Sequence, residues 1–141
     1  NLVSRFYHRF RIFGMTCTAV LLASCAPSGH TSAAGNNQIM LVRPEPPSFG
    51  FQRLTSLAIV HPDLGTFVSR HGTPNFLGET SNDERLYYFL YYLGDREAFV
   101  CRTGKGSNQA IEFSGPYPIT PREFRLLDDF RRDPSRPPTK L

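Results

Sequence analysis

Apolar and polar positions change their pattern several times along this chain. Ile12 to Leu22 is a largely apolar run of 11 residues with no charged side chain. From Ala26 to Ser48 no period survives, because Pro27, Gly29, Gly35, Pro44, Pro46 and Pro47 interrupt it. Leu54, Leu57 and Ala58 then recur at helical spacing, which predicts a helix from Arg53 to Val60. Pro62 and Asp63 open a second short helix through His71. Its apolar stripe is Leu64, Phe67 and Val68, with Gly72 as cap and Pro74 as stop.

The extended pattern follows. Arg85 to Leu93 is aromatic and apolar almost throughout, which predicts a strand. Gly94-Asp95 makes a two-residue turn with Gly first, suiting a type II′ hairpin, and Arg96 to Thr103 returns as the second strand. If Leu93 faces Arg96, Leu90 lies opposite Phe99, Tyr88 opposite Cys101 and Tyr87 opposite Arg102. Ala110 to Ser114 reads as a third strand, with Ile111 and Phe113 on one face and Glu112 on the other. Thr120-Pro121-Arg122-Glu123 is a capping box with Pro at the first helical position. The helix it opens runs to about Arg131 and buries Phe124, Leu127 and Phe130. The predicted fold is therefore α+β: two short helices, a three-stranded antiparallel meander and one C-terminal helix. The folded part is expected over residues 49–131, with a disordered tail over 132–141.

The first 25 residues carry an address. Arg5, His8, Arg9 and Arg11 precede the apolar run, and small residues close it before Cys25. That is the order of a secretory signal. The run is far shorter than the roughly 20 residues needed to cross a bilayer. A buried core helix is the competing reading; the basic residues before it and the Pro/Gly/Ser stretch after it argue against that.

Leu21-Leu22-Ala23-Ser24-Cys25 resembles the lipobox of bacterial lipoproteins. The resemblance implies a signal peptide over residues 1–24, cleavage before Cys25 and acylation of its thiol, with residues 25–48 as a flexible tether. Ala26, in place of an Asp, implies by the same resemblance an outer-membrane location facing the periplasm. The mature part is similar, loosely, to small outer-membrane lipoproteins of the BamE/SmpA type. The likeness rests on Gly72-Thr73-Pro74 at a helix end and Tyr87-Tyr88 in an aromatic meander. There is no Trp, and the C-terminal helix is additional, so no functional residue is carried across.

Charge narrows the choice of partners. The chain has 16 basic and 12 acidic residues, a formal net charge of +4. Setting aside Arg5, Arg9 and Arg11 in the export segment leaves 13 basic against 12 acidic, a balance of +1. No general field then steers the mature chain to nucleic acid. Three cysteines, Cys17, Cys25 and Cys101, leave Cys101 alone once Cys25 is acylated, which does not make a disulfide framework. Neither C-x-x-C nor H-x-x-x-H spacing occurs, so no metal or cofactor is expected.

Catalytic letters are present without catalytic context. Arg70-His71-Gly72 resembles the Arg-His-Gly motif of histidine phosphatases, whose chemistry requires a second His and more Arg converging on one phosphate. His71 is the last histidine in the chain. The alternative, a helix end with Arg70 and His71 set against the C-terminal dipole, needs nothing further. Ser69 lies in no nucleophile elbow, and Cys101 reads as a buried structural thiol. The hairpin is different. Tyr87, Phe89 and Tyr91 share one strand face, and Arg102 stands beside them. Aromatic rings with an Arg are a frequent hot-spot composition. The competing reading has helix or loops covering that face. The expectation is a non-enzymatic envelope lipoprotein, an accessory or scaffold that grips another envelope protein through Tyr87, Phe89, Tyr91 and Arg102. The membrane contact is the acyl anchor at Cys25. The alternatives are a small envelope hydrolase or phosphatase using Arg70 and His71, or a passive lipoprotein that binds cell wall or lipid.

Overall fold

The computed structural model of the chain describes residues 37–106 and 110–138. The chain divides into two units, residues 1–31 and 32–141, and every described residue belongs to the second. Residues 1–36, on which the expected export signal, Cys25 and Ala26 fall, lie outside the described residues. Among those described, no helix is long and apolar enough to cross a membrane.

Five strands form one antiparallel sheet in chain order: β1 (Gln38–Leu41), β2 (Phe76–Ser81), β3 (Arg85–Tyr92), β4 (Glu97–Gly104) and β5 (Glu112–Pro118). Helices α1 (Phe49–Val60) and α2 (Pro62–His71) fall between β1 and β2, and α3 (Pro121–Arg132) closes the chain. The fold is α+β as expected, but the three-stranded meander is a five-stranded one, and a strand precedes the helices. Both missed strands have physical reasons. Gln38 to Leu41 is a four-residue stretch with only three apolar side chains, set among chain breakers inside the span read as tether. A run so short is ambiguous by period alone, and its pairing with β2 makes it a strand. In β2 the first three residues are buried, Gly78 among them, and the last three are polar, so no alternation marks it.

Pairing of β3 with β4 keeps the expected register: Tyr87 opposite Arg102, Tyr88 opposite Cys101, Leu90 opposite Phe99. The turn joining them is not the type II′ form. Gly94 has no positive φ; Arg96 does, at 56°. The Arg96 N–H donates to the Leu93 carbonyl at 3.2 Å, and the left-handed residue then redirects the chain into β4. The third expected strand sits a little later, at Glu112–Pro118, with an irregularity in its pairing to β4 between Ala98 and Val100.

The sheet is covered on both faces. On the inner face, Leu54 and Leu57 of α1 and Leu64, Phe67 and Val68 of α2 pack against Met40, Leu77, Tyr88, Leu90, Tyr92 and Cys101. On the outer face, Phe124, Leu127 and Phe130 of α3 pack against Phe76, Tyr91 and Ala98. Side chains alternate across a strand, so β3 supplies both layers. That is why it has no polar face.

Local chemistry sets where the helices start and stop. The Ser48 hydroxyl caps α1 by accepting from the Phe51 N–H at 3.2 Å, and it donates to the Leu41 carbonyl at 2.7 Å. One side chain thus joins the end of β1 to the start of α1, four residues before the predicted helix start. The backbones are so close there that a Cβ on Gly50 would lie 2.3 Å from the Leu41 oxygen. Helix α2 ends at Gly72, φ 88°, as expected. The Tyr92 hydroxyl donates to the Gly72 carbonyl at 2.9 Å, tying that end to the sheet. The capping box of α3 is formed in full between Thr120 and Glu123. Past Arg132 the chain turns, and the Asp133 carboxylate accepts from the Ser135 N–H at 3.2 Å.

Candidate functional site

The outer face of the sheet is built from cross-strand rows, and register decides which rows α3 covers. One row holds Leu41, Phe76, Tyr91, Ala98 and Tyr117. The next holds Ile39, Gly78, Phe89, Val100 and Ser114, and the third holds Thr80, Tyr87, Arg102 and Glu112. Helix α3 sits on the first row: Phe130 stacks on Phe76 with ring centroids 5.4 Å apart. Ile39 and Phe89 of the second row pack at the edge of the cluster that α3 forms, while Val100 and the third row lie outside that cluster.

The candidate residues are therefore divided. Tyr91 is interior, 7% exposed beneath α3. Its expected place on an open face is corrected: the C-terminal helix covers it. Burial, and to a lesser degree the nearby Glu123 carboxylate, push its phenol up to about 12. Phe89 is half-buried at the border, packed on the edge of the outer cluster with its ring 6.4 Å from that of Tyr91. Tyr87 and Val100 are half-buried and belong to neither cluster. Gly78 lies beneath the two rings. A Cβ there would lie 3.1 Å from the Phe89 Cβ and 3.4 Å from a Tyr91 ring carbon. The missing side chain lets the aromatic pair lie down on the sheet.

Arg102 is exposed, on the same face as Tyr87, as the register predicted. Its Nε–H donates to Glu112 Oε2 at 2.8 Å, and its terminal NH2 reaches the same oxygen. That guanidinium holds the Glu112 carboxyl below the usual carboxylate range. The pair balances its own charge and frames the aromatic rows. Thr80 and Gly78 went unrecognised because they belong to β2. The signal available was Pro74-Asn75 followed by Phe76-Leu77, a stop and then an apolar start.

The residues of the catalytic alternative lie at the end of α2. The His71 ring stacks on Phe67 with centroids 4.0 Å apart, and its Nδ1 lies 3.1 Å from the Phe67 carbonyl oxygen. Arg70 is exposed beside it at the helix end. The Ser69 hydroxyl donates to the Gly65 carbonyl at 2.9 Å, within its own helix. Cys101 is fully buried, and burial pushes its thiol up to about 12, far from a reactive thiolate. Among the described residues no group of His, Cys, Asp and Glu is arranged to hold a metal ion.

In comparisons with known proteins, no family model, no curated protein and no solved structure matches this chain.

Proposed function

We propose that this chain is an envelope lipoprotein, anchored through Cys25, that acts without catalysis as an accessory or scaffold. It grips another envelope protein with the open rows of its outer sheet face. The observation that carries the reading is the short reach of α3: Tyr87, Val100 and the Arg102–Glu112 pair lie outside the cluster it forms, on one continuous face with Phe89 at the cluster's edge. Half-buried aromatic residues beside a charged pair match the make-up of a binding hot spot with its polar rim. The commitment of His71 and Ser69 to α2, and of Cys101 to the core, fits a protein that does no covalent chemistry at those residues.

A photo-crosslinking amino acid at Tyr87 or Val100, introduced in cells, tests the reading. A discrete adduct from both positions, weakened by Arg102→Glu, is the expected result. Adducts no different from those at exposed Asp63, on the opposite side of the domain, would defeat it. The anchor is tested apart: label from an alkynyl fatty acid enters the wild-type chain and not Cys25→Ala.

A further inference from the structure

Helix α1 has six exposed positions, Phe49, Gln52, Thr55, Ser56, Ile59 and Val60, and none is charged. In a chain with 20% charged residues, a solvent-facing helix surface ordinarily carries some. The helix has one charged side chain, Arg53. It is held by Glu79 of β2 in a two-bond pair whose Nε contact is 3.0 Å. Phe49, Ile59 and Val60 are 64%, 77% and 69% exposed, among the largest apolar exposures of the described residues. Large apolar side chains so exposed at both ends of one uncharged helix surface point to a contact surface.

The stripe is self-complementary. At about 100° per residue, Phe49, Gln52, Ser56 and the Ile59-Val60 end fall on one side of the helix. Phe49 and Gln52 are three residues apart, as are Ser56 and Ile59. Turned end for end, the stripe therefore meets itself: Phe49 against Ile59 and Gln52 against Ser56. That is what an isologous two-fold contact requires.

The helix ends carry a matching electrostatic signal. Helix α2 has Asp63 in its first turn and Arg70 and His71 in its last; α3 has Glu123 and then Arg131 and Arg132. Helix α1 has no acidic residue in its first turn and no basic residue in its last. Beyond the neutral Ser48 cap, its partial charges, positive at the N-terminus and negative at the C-terminus, meet no charged side chain in the first or last turn. An antiparallel copy places the opposite partial charge at each end. A lipid surface suits the helix less well, since interfacial helices carry free basic residues beside their apolar ones.

We propose that two copies of this chain associate through α1, antiparallel, about a two-fold axis near the middle of the helix. A contact of one helix pair buries on the order of 1,000 Å², the low end for specific association, so the dimer is weak and depends on concentration. The surface is separate from the outer sheet face, and the proposal does not depend on what that face binds.

Two differently tagged full-length copies, co-expressed and captured from envelopes, provide the test. Phe49→Lys in both copies, or Ile59→Glu in both copies, lowers co-capture at least tenfold, because each leaves a charge against an apolar partner. One copy with Phe49→Lys beside one copy with Ile59→Glu restores co-capture, because the new ammonium meets the new carboxylate. Both positions are exposed, and unchanged thermal melts verify that the variants fold. Co-capture that survives both single variants overturns the proposal. So does loss in the singles without recovery in the mixed pair, the outcome expected if lipid or an unlike protein covers the face.

Discussion

The guanidinium carbon of Arg96 sits 4.2 Å from the centre of the Phe124 ring. The left-handed residue of the hairpin turn is thereby fastened to the helix that covers the outer sheet face. The Arg96 carbonyl also accepts from the Ile119 N–H at 2.9 Å, so turn and helix entry are joined twice. A non-glycine residue at positive φ costs roughly 1–2 kcal/mol, and a cation over an exposed ring returns about 0.5–1. Arg96→Gly, which relieves the strain as it removes the cation, should stay within about 1 kcal/mol of wild type. Arg96→Ala keeps the strain and loses the cation, and should fall about 1–2 kcal/mol lower than Arg96→Gly. Urea unfolding of the pair checks this; equal midpoints would mean the φ at Arg96 is of no consequence.

Tyr91 and Tyr87 lie on the same face of the same strand and should behave differently. Tyr91→Ala empties a site beneath α3, and the expected loss is about 3–5 kcal/mol. Tyr87→Ala removes a ring outside both clusters and should cost no more than about 1 kcal/mol while weakening partner capture. Thermal melts beside crosslinking yields separate the two effects. A Tyr87 variant that unfolds as readily as the Tyr91 variant would place its ring in the core.

Gly50 is a position where a methyl group has nowhere to go. With the Leu41 carbonyl 2.3 Å from a would-be Cβ, Gly50→Ala forces α1 away from β1. The loss expected from such overpacking is about 1–3 kcal/mol, despite the better helix propensity of Ala. Ser48→Ala, which removes the cap at the same junction, should cost about 1 kcal/mol. Denaturant midpoints for each variant, and hydrogen exchange at the Phe51 amide, report on this junction.

Alkaline pH should weaken the fold. Burial pushes the Cys101 thiol from its ordinary 9.0 up to about 12. It likewise raises Tyr91 and Tyr92 from 10.0 to about 12, with smaller contributions from Glu123 and Cys101. The unfolded chain releases these protons first, so above about pH 9 it holds fewer than the folded chain. Stability therefore falls as pH rises from about 9 towards 12, and the contribution is intact below that window. Guanidinium midpoints at about pH 8 and pH 10.5 measure the drop. Iodoacetamide at the lower pH should leave Cys101 of the folded protein unmodified. A flat midpoint or rapid alkylation would contradict the burial.

Much of the architecture was legible because it rests on local chemistry. The capping box at Thr120 and Glu123, the Pro62 start and Gly72 end of α2, and the inner-face pattern of Leu64, Phe67 and Val68 all act over a few residues. The pairing of β3 with β4 was legible for the same reason. A short turn leaves the two runs one favourable alignment, and it put Arg102 beside Tyr87. What stayed hidden depends on partners far away in the chain. Gln38 to Leu41 is a strand because Phe76 to Glu79 lies alongside it. Arg96 takes the left-handed conformation where Gly94 offered itself, and its side chain meets Phe124 of α3 while its carbonyl meets Ile119 just before that helix. The division of Tyr91 from Tyr87 depends on where α3 stops. A two-residue period states that Tyr87, Phe89 and Tyr91 share a face. How much of that face is open is fixed by a helix some thirty residues further along, because burial belongs to the space around a side chain and not to its place in the sequence.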